Sequence, residues 1–166
     1  MRLPDPPVPV LSHGLSPKDC ELIANIILTW GAAEDEIGNA LLFVHGIYEE
    51  EIAEDFVIAL DARRKRDLLR KALKRRDPAH AAIPLITRIA RAYEDWADDR
   101  NILAHGFGAR SEGGTIIVSS LPKPPFAVRN LTEALNRANW LYLAYSEVRR
   151  IVVGTPSDDP LPDRPA

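Results

Sequence analysis

The chain has 166 residues, room for one domain with a proper core and too few for two. With 46% hydrophobic and 27% charged residues it reads as a folded globular chain, and its lone Cys20 excludes a disulfide framework and cysteine-rich metal sites. The formal net charge of −3 argues against a broad nucleic-acid-coating surface, although residues 16–153 carry 19 Lys/Arg against 20 Asp/Glu, so a local basic site stays open.

Residues 1–15 form a proline-rich arm with Pro4, Pro6, Pro7 and Pro9. Ser16-Pro17 then reads as a helix N-cap followed by proline at the first helical position. From there Ile23, Ile26, Trp30, Ala33, Ile37, Leu41 and Val44 recur at spacings of three and four, which predicts an amphipathic helix ending near His45-Gly46. A second line on that helix, Ala24, Gly31 and Gly38, repeats every seven residues and carries almost no side chain. Either another helix of the same chain packs closely there, or the line is a helix contact across a dimer axis.

A second helical region is expected from about Glu50 to Arg76, packing through Ile52, Phe56, Ala59 and Leu60 and then through Leu68, Leu69, Ala72 and Leu73. Arg63, Arg64, Lys65 and Arg66 fill a full turn with no apolar member, which predicts a break near residue 62; Asp77-Pro78 ends the region. The span from Arg63 to Arg76 holds nine basic residues, with Asp67 its only acid. Arg63, Arg64, Arg66 and Arg70 are the candidate phosphate-backbone contacts, set against the plainer reading of a solvated helix face.

A third long helix carries Leu85, Ile86, Ile89, Tyr93, Trp96 and Leu103 and stops at Gly106, with Pro84 in its first turn or at a kink. After it, Phe107–Arg110 and Thr115–Val118 flank Ser111-Glu112-Gly113-Gly114, the pattern of a β-hairpin. A last helix begins near Leu131 and carries Leu135, Ala138, Leu141, Val148 and Ile151. Residues 154–166, with Pro156, Pro160, Pro162 and Pro165 among three aspartates, are expected to be a disordered acidic tail. The predicted fold class is all-α, a bundle of four or five helices with a small β-hairpin inserted before the last one. No apolar run approaches a membrane span and no basic-then-apolar leader opens the sequence, so a cytoplasmic protein without membrane contact is expected.

The chemistry concentrates at the end of the third helix. Asn101 and His105 stand four residues apart on one helical face, with Asp98 a turn earlier. Arg100 lies in line with Trp96 and Leu103, where a cation must reach a carboxylate, a ligand or an interface. His105 falls in the last turn, where the helix dipole favours the imidazolium form. A fixed cation beside a group that titrates near neutrality suits phosphate binding or cleavage. Arg75 and His80 reproduce the spacing, but Asp77-Pro78 interrupts them. The alternative for Arg100 is an intrachain pair with Glu34 or another acid, with His105 a plain cap. No metal-ligand spacing and no glycine-rich phosphate loop is present, so neither metal nor cofactor is expected.

Arg100-Asn101-x-x-x-His105, followed by Gly106, resembles the motif of the HEPN superfamily of small helical proteins. The order of elements over about residues 16–153 is similar as well: a first helix holding Trp30 and Glu34, a second helical segment, the motif at the end of the next, and a closing helix. The resemblance implies a HEPN-like homodimer whose arginines and histidines meet across the subunit contact as a metal-independent endoribonuclease, with an antitoxin partner or a defence setting as its expected context. It also implies that Arg100 binds the phosphate, His105 transfers a proton and Asn101 positions either one. Other members serve as non-catalytic dimerisation, RNA-binding or nucleotide-binding modules.

Overall fold

The computed structural model describes residues 15–105, 107–111, 114–118, 127–128 and 130–166. Helix α1 (Pro17–His45) starts where Ser16 and Asp19 cap each other reciprocally, Asp19 N donating to Ser16 Oγ at 3.1 Å and Ser16 N to Asp19 Oδ2 at 2.9 Å. It stops at Gly46, whose φ of 68° lies in the left-handed region that glycine enters at no steric cost. Helices α2 (Glu50–Ile58) and α3 (Ala62–Arg76) follow, separated at residues 59–61, close to the break expected near residue 62, while the run of cations itself lies within α3. Asp61 caps α3, accepting from Arg64 N at 2.7 Å. Helix α4 (Ala82–His105) takes Pro84 into its first turn, where a missing N–H costs nothing. Helix α5 (Leu131–Val153) closes the bundle behind an Asn130 cap.

Between α4 and α5, strands β1 (Phe107–Ser111), β2 (Gly114–Val118) and β3 (Ala127–Val128) form an antiparallel sheet in that order. Phe107 faces Val118 in the first pairing, and Ile117 faces Val128 in the second. The turn of the expected hairpin, residues 112–113, lies outside the described residues, and a third strand, Ala127–Val128, adds to the sheet. β2 and β3 approach α4, which places the sheet beside the helix that carries the Arg100 motif.

The core follows the apolar stripes. Ile26, Trp30, Ile37 and Leu41 of α1 pack with Leu69 and Leu73 of α3, Ile86, Ile89 and Trp96 of α4, and Leu141, Tyr145 and Val148 of α5. Helices α1 and α5 form the most extensive pair and are also joined at the surface by Arg149 and Glu36. Helix α2 is the exception: Ile52 is 52% exposed and Ile58 80% exposed, while Ala59 faces solvent. Its nine residues bury Phe56 only in part, because so short a helix can seat one edge and no more. Among the described residues no helix is long and apolar enough to cross a membrane.

The expected disordered tail is corrected. Residues 154–166 have almost no regular structure but lie against the bundle: Leu161 packs on the core, Trp140 Nε1 donates to Pro162 O at 2.9 Å, and Ser157 N donates to Glu147. Prolines lose little backbone freedom on docking, and a buried indole N–H needs an acceptor. Composition averages over both facts.

Candidate functional site

Helix α4 delivers the motif at its C-terminal end. Trp96, Ile102 and Leu103 are buried and fix the rotation of the last turns. That rotation leaves Arg100 half-buried, Asn101 exposed and Asp98 exposed. Arg100 Nη1 donates to Asn101 Oδ1 at 3.3 Å, so the first two motif residues touch. Among the described residues no carboxylate pairs with Arg100. His105 is the last residue of α4, and its side chain lies outside the described residues, as does Gly106.

The neighbouring acid has a different partner. Asp99 binds Arg137 Nη1 of α5 at 2.6 Å, and the same guanidinium reaches Glu133 and donates to Ala166 O at 2.9 Å. Arg137 thus ties the end of α4 to α5 at the residue beside Arg100. Sequence reasoning missed it, although Glu133 and Arg137 four apart on one helix were a visible signal.

Glu34, the candidate intrachain acid for Arg100, instead accepts a 2.7 Å bond from the Tyr93 hydroxyl. Tyr93 belongs to an interior cluster that the sequence did not announce. Arg66 is only 3% exposed; its Nη1 donates to Tyr145 Oη at 3.0 Å and its Cζ stands 4.3 Å over the Tyr93 ring. Burial pushes the Tyr145 hydroxyl up to about 12, opposed by the charge and hydrogen bond of Arg66. Burial raises the Tyr93 hydroxyl as well, reinforced by its bond to the Glu34 carboxylate and by that negative charge. Both phenols are neutral at physiological pH.

The α3 candidates therefore divide. Arg66 is corrected: it is an interior residue committed to two tyrosines and cannot contact a phosphate backbone. Arg63 and Arg64 are exposed, and Arg70 is half-exposed with Asp67 at 3.5 Å. Lys71, Lys74 and Arg75 are exposed too and continue the same side of the helix. Lys65 is buried, at 6% exposure. The apolar face of α3 is narrow, so its inward arc takes a lysine and an arginine as well, the arginine with its guanidinium bonded to Tyr145.

The small-residue line on α1 divides likewise. Ala24 and Gly31 are exposed, and a methyl group at Gly31 would meet nothing within 4 Å. Gly38 is buried within the chain, where a methyl group would lie 3.1 Å from Val57 Cγ1 and 4.0 Å from Lys65 Nζ. As a dimer-contact candidate Gly38 is corrected: it lets α2 approach α1. A concavity of about 200 Å³ lies between α5 and the C-terminal segment, with Leu143, Glu147, Pro160 and Leu161 in its wall and neither Arg100 nor Asn101. Among the described residues no three His, Cys, Asp or Glu side chains converge as metal ligands. No protein-family model matches this chain, and neither a curated protein nor a solved structure matches it.

Proposed function

We propose that the chain is a HEPN-like bundle, with the β1–β2 segment as an insertion, that acts as a homodimeric, metal-independent endoribonuclease. The observation that carries the reading is Arg100: a half-buried guanidinium at the end of α4, bonded to Asn101 and closed off by no described carboxylate. Its nearest sequence-level competitor, Glu34, is committed to Tyr93.

In this reading Arg100 binds the scissile phosphate and stabilises the charge that grows on it as an adjacent ribose hydroxyl attacks. His105 removes the proton from that hydroxyl, and His105 of a second copy protonates the leaving oxygen. Asn101 holds the Arg100 guanidinium in place. One chain offers one such histidine, and a two-fold axis supplies the other. The exposed cations Arg63, Arg64 and Arg70 on α3, with Lys71 and Lys74, would follow the RNA backbone. Ala24 and Gly31 remain the α1 candidates for the subunit contact. An antitoxin-like protein would be a partner that covers the motif, and the setting would be cytoplasmic.

The test is incubation of the purified chain with RNA in EDTA. Cleavage that leaves cyclic phosphate ends, and that is lost in both Arg100→Ala and His105→Ala, supports the reading. A monomer in solution with no cleavage sinks it. The basic arc of α3 favours one second reading, an RNA-binding module without cleavage, for which RNA binding would fall on charge removal at Arg63 and Arg64 while Arg100→Ala left it unchanged.

A further inference from the structure

The C-terminal segment is held in a manner that names its own motif. Leu161 packs on the core, Pro162 O accepts from Trp140 Nε1, and Arg164 pairs with Asp95 while its Cζ stands 4.9 Å from the Trp96 ring. Trp96 and Trp140 meet edge to face with centroids 5.8 Å apart. With the segment in place they are only 3% and 2% exposed. An aromatic groove with an indole N–H aimed at the carbonyl of a proline, beside a seat for a leucine, is the chemistry that recognises extended proline-rich peptides.

The seated segment reads Leu161-Pro162-Asp163-Arg164-Pro165, and the N-terminal arm reads Leu3-Pro4-Asp5-Pro6-Pro7. Leucine, proline, aspartate and the final proline coincide; only Arg164 is replaced, by Pro6. The residues whose contacts define the seat, Leu161 and Pro162, thus have counterparts in Leu3 and Pro4. The arm lacks the Asp95 ion pair and the cation over Trp96.

We infer that the Trp96–Trp140 groove is a recognition site for an extended Leu-Pro segment, and that Leu3–Pro7 of the same chain is its second ligand, competing with the C-terminal copy. Leu15 is anchored on the core, and residues 8–15 give the arm a tether of up to about 28 Å when extended. Arg164 gives the C-terminal copy the resting advantage. When the arm takes the groove, Arg137 loses its bond to Ala166 O, so the exchange is felt at the residue that ties Asp99 beside the motif. The inference stands independently of the ribonuclease reading.

The experiment follows the Trp140 indole N–H by NMR hydrogen exchange in the full chain. Leu161→Asp evicts the C-terminal copy, and the expected result is protection within about 10-fold of the parent because the arm fills the seat. Adding Leu3→Asp should then lower protection by about 100-fold, while Leu3→Asp alone changes nothing. Equal loss in Leu161→Asp with and without Leu3→Asp would overturn the inference. So would protection in Leu161→Asp that rises with protein concentration, since a second copy would then be supplying the segment. Should the double variant lose its helical circular dichroism, Arg164→Ala keeps the question open to measurement. A synthetic peptide of residues 1–9 should shift the Trp140 indole resonance in that chain, a peptide with Leu3→Asp should not, and no shift with the former refutes the site.

Discussion

Arg66 and Arg100 make the instructive pair. Each lies where a helix turns from its polar to its apolar side, and each was expected to meet a phosphate. Arg66 is enclosed between Tyr93 and Tyr145, with Glu34 one bond further along. Arg100 has an amide beside it and the end of a helix below it. The difference is not in the arginines but in what the facing helices bring. α4 and α5 deliver two phenols to α3, whereas the only described partner of Arg100 is the next residue along. An arginine satisfied by uncharged groups is structural, and one left half-open at a helix end is available.

The largest effect should separate the two by activity. Arg100→Ala should lower RNA cleavage by about 100- to 10,000-fold, as for loss of a group that stabilises transition-state charge, with stability within about 0.5 kcal/mol of the parent. Parallel cleavage assays and urea titrations measure both. Loss of stability on the scale seen for a core residue would make Arg100 a second Arg66 and remove the contrast.

Arg66→Ala should do the reverse. It deletes a cation over a ring, leaves the Tyr145 hydroxyl without its described donor and opens a space in the core, a combination worth about 3 kcal/mol. Urea unfolding reads the loss directly. Arg66→Met, which keeps the volume, should recover about half of it.

The same cluster predicts an alkaline transition. A phenol raised in the folded state stays protonated there while its unfolded counterpart ionises, so the unfolded state holds fewer protons and stability falls with pH. Stability is therefore undiminished below the ordinary phenol value of 10 and declines as pH rises from 10 to about 12, where Tyr145 titrates in the fold. Tyr145 alone contributes a decline of about 2–3 kcal/mol across that window. Unfolding titrations at pH 9 through 12 measure the slope, and Tyr145→Phe should flatten it. A slope of opposite sign would mean that the cluster does not keep its phenols neutral.

The contrast also explains what could be read from the letters. The helices were legible because Ser16-Pro17, Gly46 and the three- and four-residue apolar spacings are local signals, and local signals set helix ends. A break near residue 62 was read from the run of cations, although all four of them continue α3 and the Asp61 cap that starts it went unread. The fate of Arg66 and Lys65 was not legible, since a run of cations looks alike whether its members point to water or to a tyrosine on another helix. The seating of residues 154–166 was hidden in a proline-rich composition, although Leu161 and its counterpart Leu3 stood in the sequence. Of the candidate site, the register of Asp98, Arg100 and Asn101 on α4 could be read, while the Asp99–Arg137 tie depended on how α4 meets α5.

The smallest effect concerns the two glycines of α1, which divide as the two arginines do. Gly38 is enclosed by Val57 and Lys65, and a methyl group there would force a neighbour to give way. Gly38→Ala should destabilise by about 1 kcal/mol, the crowding outweighing the gain in helix propensity. Gly31 has open space around it within the chain, so Gly31→Ala should stabilise an isolated subunit by about 0.7 kcal/mol. Urea titration at low protein concentration reads that gain. If Gly31 lies in a close contact between two copies, the sign reverses as concentration rises and the dimer forms, because the added methyl group then sits between two helices rather than in solvent. A gain unchanged across the concentration series would take Gly31 out of the proposed subunit contact and leave Ala24 to be tested alone.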